Sequence, residues 1–194
     1  MNPSTRHGLA QRPARSRLPA RMAGGCSLVE SLCSLAIVLV LLSGVLPMLQ
    51  DLMARQALLA QAAELETDLA LARAQAQLHG QTIRFAVLQP DAGGSCYIIH
   101  SGPAGGCQCT GGGRTSCEAG AQVLRLVEPS RRTGIKLAAI NRSLAFDAGM
   151  GTVTPTATLR LTDRDGRAVH QVINLMGRVR TCTPNPVWGG MRHC

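Results

Sequence analysis

Apolar residues change their rhythm along the chain, and each rhythm predicts a different element. From Leu28 to about Leu49 they form a nearly continuous run, through Leu35-Ala-Ile-Val-Leu-Val-Leu-Leu42. A helix needs roughly 20 such residues to cross a bilayer, so this run is long enough. From Met48 to His79 the run gives way to a stripe. This segment has no Pro or Gly and is rich in Ala, Leu and Gln, and Leu58, Ala62, Leu65, Leu69, Ala72 and Ala76 recur at steps of four and three. Those steps mark one face of an amphipathic helix. Gly80 is placed to stop it.

Beyond Gly80 the period shortens. The pattern predicts strands at Ile83–Leu88, Cys96–His100, Val123–Val127, Ile135–Ile140, Ser143–Phe146, Ala157–Leu161 and Val169–Leu175. Thr162-Asp-Arg-Asp-Gly-Arg167 reads as a hairpin turn. The expected class is α+β, with one long helix laid across an antiparallel sheet. Residues 26–49 would be the membrane helix, 50–80 its amphipathic continuation, and 81–194 a single β-rich domain with a basic tail.

Composition sharpens this picture. Aromatic residues make up 2% of the chain, so the core must rest on Leu, Val, Ile and Ala. Small domains with thin cores often depend on covalent staples. The net charge of +9 is unevenly spread. Five arginines (Arg6, Arg12, Arg15, Arg17, Arg21) fall in the first 25 residues, which contain no acid. No Asp or Glu follows Asp165, whereas Arg167, Arg178, Arg180 and Arg192 do.

Cys96, Cys107, Cys109, Cys117, Cys182 and Cys194 all follow the helix. An even set of this kind reads as three disulfides. Pro184, Pro186, Gly189 and Gly190 can turn the chain back, so Cys182 is expected to pair with Cys194. The pairing of the other four is left open. Cys26 and Cys33 are expected to stay unpaired. Cys107, Cys109 and Cys117 with His100 match no common zinc spacing. His79, His100, His170 and His193 show no pairing with a nucleophile. Gly111-Gly-Gly113-Arg114 lacks the Lys-Ser/Thr of a phosphate-binding loop and reads as a flexible loop. No enzymatic activity, cofactor or metal is expected.

The N-terminus has the order of a processing signal. Residues 1–25 are polar and basic, and the apolar run comes after the likely cleavage point rather than before it. A lipoprotein signal at Gly25-Cys26 would need an apolar stretch upstream. The upstream residues are Arg-Leu-Pro-Ala-Arg-Met-Ala-Gly-Gly. Glu30 sits within the apolar helix, where a carboxylate costs up to about 3 kcal/mol. Cleavage after Gly25 would free an ammonium on Cys26, which a neighbouring subunit could present to Glu30. The arginines ahead of the span predict a cytoplasmic N-terminus.

Gly25, then Glu30 as the fifth residue after it, with Pro47 twenty-one residues after Cys26, resembles the type IV prepilin signal. The family usually has Phe where this chain has Cys26. The resemblance implies a type IV pilin fold, a 1–25 leader removed by a prepilin peptidase, and assembly with other pilins or pseudopilins through the helix. It also implies a single-pass protein of the inner membrane with its domain in the periplasm, and later in a pilus or pseudopilus.

The whole chain resembles the FimT/GspH group of minor pilins and pseudopilins. Gly177-Arg178-Val179-Arg180 is similar to the Gly-Arg-x-Arg motif of FimT proteins involved in DNA uptake during natural transformation. The resemblance makes Arg178 and Arg180 a pair contacting double-stranded DNA, with Gly177 allowing close backbone approach. Arg192 is added from charge and the expected closure of the tail. If the segment is extended, Arg178 and Arg180 share one face. The motif is expected just after the last strand. Two other functions share this N-terminus. One is a structural minor pseudopilin of a type II secretion system without DNA binding, and the other is a pilus assembly or tip-priming factor.

Overall fold

The computed structural model describes residues 27–90, 94–129, 133–184 and 190–194. The chain divides into two compact units, one up to Val45 and one from Leu46 onward. The long helix α1 (Leu28–His79) contains Pro47 and is long and apolar enough to cross a membrane. In the first unit its large apolar side chains, such as Leu35, Ile37 and Val40, are exposed. Ser27 caps the helix by accepting the Glu30 N–H at 3.3 Å.

The second unit is built on the stripe. Leu58, Ala62, Leu65, Leu69, Ala72 and Ala76 are all buried. The helix ends where Gly80 takes a left-handed conformation (φ 60°) and Gln81 N–H reaches back to the Ala76 carbonyl at 3.3 Å.

Eleven strands follow among the described residues: β1 (Ile83–Leu88), β2 (Cys96–Ser101), β3 (Cys107–Gly111), β4 (Arg114–Cys117), β5 (Val123–Val127), β6 (Lys136–Ala139), β7 (Ser143–Phe146), β8 (Val153–Thr154), β9 (Ala157–Thr162), β10 (Ala168–Ile173) and β11 (Val179–Cys182). One sheet has the order β5-β2-β1-β7-β8, and a second has β11-β10-β9-β6. All pairings between strands are antiparallel. Alternate residues from both sheets, among them Phe85, Tyr97, Ile99, Leu144, Leu159 and Val169, join the helix stripe in one core. The fold is thus α+β, with the amphipathic helix packed on antiparallel sheets.

The structure corrects three expectations. Gly111-Gly-Gly113-Arg114 is the tight turn of the β3–β4 hairpin rather than an open loop, and Gly111, Gly112 and Gly113 all have positive φ. This hairpin is poor in apolar residues, so it lacks a strand signature. Cys107–Cys117 ties its strands together, and Cys96–Cys109 ties it to β2. Second, β10 ends at Ile173 rather than Leu175, because Asn174 starts a turn. Third, the last described strand is β11, so the Gly-Arg-x-Arg motif runs into that strand instead of following it.

Candidate functional site

The β10–β11 hairpin turns through three residues, Leu175, Met176 and Gly177. Gly177 N–H donates to the Asn174 carbonyl (2.9 Å), and Asn174 N–H donates to the Arg178 carbonyl (3.1 Å). The Asn174 side-chain oxygen accepts the Arg178 N–H at 2.9 Å. Gly177 has φ 70°, as the third position of such a loop requires. A Cβ there would also meet the Gly151 carbonyl oxygen at 3.0 Å and Arg73 Cδ at 3.3 Å. Its close approach is therefore internal, to Gly151 and Arg73. This differs from the expected role of bringing the backbone close to a ligand.

The β9–β10 hairpin has the same construction. Gly166 N–H donates to the Asp163 carbonyl (3.3 Å), and Asp163 N–H donates to the Arg167 carbonyl (3.0 Å). Asp163 Oδ1 accepts the Arg167 N–H at 2.9 Å. Both turns read Asx-x-x-Gly-Arg, so the Gly-Arg step is partly a turn signature. This repeat is visible in the sequence and went unread there.

The two turns differ in what surrounds the arginine. Arg167 is held by Asp163 (2.6 Å), Asp165 (2.5 Å) and Asp51. Arg178 is exposed, and its guanidinium has no carboxylate partner among the described residues. Arg180 is likewise exposed and unpaired there. Val179 packs against the core, and Thr181 Oγ1 donates to Glu66 of the helix at 3.3 Å. Strand alternation therefore leaves Arg178 and Arg180 on the outer face of the sheet.

Cys182 and Cys194 are joined by a disulfide (S–S 2.09 Å, Cα–Cα 5.1 Å). The returning tail lies beside Thr183, whose N–H donates to the Arg192 carbonyl at 2.9 Å. Arg192 is exposed. It stands at the Cys182 end of β11, roughly 16 Å along the strand from Arg178. The tail closes at the Arg180 end of the pair, three residues along at Thr183, and away from Arg178.

Glu30 lies in the first turn of α1, exposed, and Cys33 is a free exposed cysteine. Ser27-Leu-Val-Glu30 is the sequence form of a capping box, another local signal that went unread. Gly25, Cys26 and Trp188 lie outside the described residues. Cys107, Cys109 and Cys117 are consumed in disulfides, and no cluster able to hold a metal occurs among the described residues.

A family model described as type II transport protein GspH matches residues 61–177. The chain belongs to the GspH family. It is thus a minor pilin- or pseudopilin-like protein. The GspH match ends one residue before Arg178, so it does not speak for Arg178, Arg180 or Arg192. Among solved structures, this GspH-family chain is similar to the type IV minor pilin FimU of Pseudomonas aeruginosa strain PAO1. Identity is 25%, covering 65% of this chain and 88% of that one, with a TM-score of 0.48. No curated protein sequence matches it.

Proposed function

We propose that this chain is a minor pilin that binds double-stranded DNA through Arg178 and Arg180, with Arg192 assisting, and serves DNA uptake in natural transformation. The supporting observation is the contrast between two equivalent turns. Arg167 is neutralised by three aspartates, while Arg178 and Arg180 stand free on one outer face. Unpaired guanidinium groups on one face suit successive phosphates. Such binding is backbone-led and carries no sequence preference.

The test uses the full chain in detergent and a labelled duplex. Neutralising about three phosphates gives a log–log salt slope of roughly −2.7. Replacing Arg178 and Arg180 with Gln should bring it to roughly −0.9 with the fold unchanged. Transformation should fall and pilus-driven motility should not. Parental DNA binding by the double variant would refute the reading.

A second reading is a structural pseudopilin of a type II secretion system that does not bind DNA. It draws on the family description and on the Gly-Arg step being a turn device used twice in this chain. Under that reading the double variant leaves transformation intact. Loss of the protein would instead reduce secretion.

A further inference from the structure

The register of the four-stranded sheet puts more than the motif on its outer face. Val172 of β10 is opposite Arg180 of β11, and His170 is opposite both Cys182 of β11 and Arg160 of β9. Opposed residues in an antiparallel pair share a face. Arg160 therefore lies on the same surface as Arg180, two strands across and one two-residue step along. The Cα separation is roughly 12 Å. Lys136 of β6 is opposite Thr162 and extends this surface to the far edge. No outward position of these four strands is Asp or Glu, and none is Phe, Tyr or Trp.

Arg160 is exposed and has no carboxylate partner among the described residues. Its Nε donates to His170 Nε2 at 2.9 Å. Since guanidinium only donates, His170 accepts there and carries its proton on Nδ1. Burial, and then the charge of Arg160, hold the imidazole below its ordinary range and keep it a neutral acceptor. His170 is itself only 8% exposed, so it is a buried acceptor for an exposed side chain. Using Nε for that bond leaves the terminal N–H groups of Arg160 free to face solvent.

Resting on the DNA-binding reading above, we infer that Arg160 is a further phosphate-contacting residue, positioned by His170, so that the duplex lies across the outer face of the β11-β10-β9-β6 sheet. The occupant is set by charge and by what is missing. The face is cationic without acids, as a phosphate backbone requires. The one ring among the outward positions of these strands, His170, is buried, so none is offered on which bases of a single strand could stack.

The experiment measures binding of a labelled duplex to the full chain in detergent as a function of salt. Adding Arg160 to the three contacts above moves the expected parental slope to roughly −3.6; Arg160→Gln should return it to roughly −2.7 and weaken binding roughly eightfold at about 0.1 M salt. Arg114→Gln makes the same charge change on β4, outside this sheet, and should bind as the parent does. His170→Ala should lose part of the Arg160 effect. His170→Gln should restore it, because its amide oxygen can accept the same bond. If His170→Gln does not rescue, the positioning role is wrong. Arg160→Gln binding like the parent, while the Arg178/Arg180 double variant loses binding, overturns this extension and leaves the DNA-binding reading standing. An unaffected double variant overturns both. Equal loss in Arg114→Gln overturns the extension in favour of general basicity. A preference for phosphatidylglycerol over phosphatidylcholine vesicles that Arg160→Gln abolishes and duplex DNA does not compete overturns it in favour of a lipid surface.

Discussion

His170 is an imidazole on an outer sheet face that is nonetheless buried. Arg160 of β9 and the Cys182 disulfide of β11 flank it. Its pKa in the folded chain is lowered, first by burial and then by Arg160. The unfolded chain titrates near the ordinary value of about 6.5. Between those two values unfolding takes up a proton, so stability rises with pH. The contribution is complete above about pH 6.5 and is lost as the pH falls through the lowered value. Denaturant midpoints measured from about pH 7 down to about pH 5 should therefore drop. His170→Gln should remove part of that drop. An unchanged pH profile in this variant would place the titration elsewhere. Nothing in the sequence marks His170 in this way. Its pairing with Arg160 arises from strand register, across ten residues and one turn.

At the scale of elements, the helix stripe was legible because its apolar residues repeat at helical spacing. Less legible were Gln61 and Asp68, polar residues that are also buried on that helix. Asp68 Oδ2 accepts from Tyr97 Oη and from Arg125 Nε, each at 2.7 Å. Arg125 also donates to Glu64 at 2.9 Å, and Gln61 to Glu64 at 2.7 Å. Burial and the Asp68 bond push the Tyr97 phenol well above its ordinary range. These partners lie on β2 and β5, and no local pattern links them to the helix. Asp68→Ala would strand the Tyr97 hydroxyl in the core and should cost about 2 kcal/mol, read from chemical denaturation. Tyr97→Phe should cost about 1 kcal/mol. Additive effects in the double variant would show that the two residues are not energetically coupled. Hairpins divided the same way. The β9–β10 turn was readable from Asp-Arg-Asp-Gly, whereas β3–β4 is fixed by cysteine pairings that spacing leaves open.

For the whole molecule, family membership and the apolar helix set the frame, and Glu30 tests the assembly proposal that goes with it. Its backbone N–H is capped by Ser27, while its carboxylate stands exposed near the start of an apolar segment. Glu30→Ala removes a carboxylate that is costly in lipid, so membrane insertion should be at least as efficient. Filament entry should fail if a neighbouring subunit's ammonium on Cys26 needs that charge. Parental amounts of the variant in sheared filaments would refute the pairing. Arg178, Arg180 and Arg160 show how far the proposed site could be read. The motif pointed to two of them, and only the register of β9, β10 and β11 adds the third.

The β3–β4 hairpin is a two-stranded sheet of its own and supplies little to the common core beyond Cys107. Cys96–Cys109 joins it to β2. Ribosomes release chains into a compartment where thiols stay reduced. The two main sheets have the apolar residues to collapse, but this arm has few of its own. Its tether forms only when an oxidant reaches Cys96 and Cys109. The final shape of the arm thus waits on oxidation, a step that comes after synthesis.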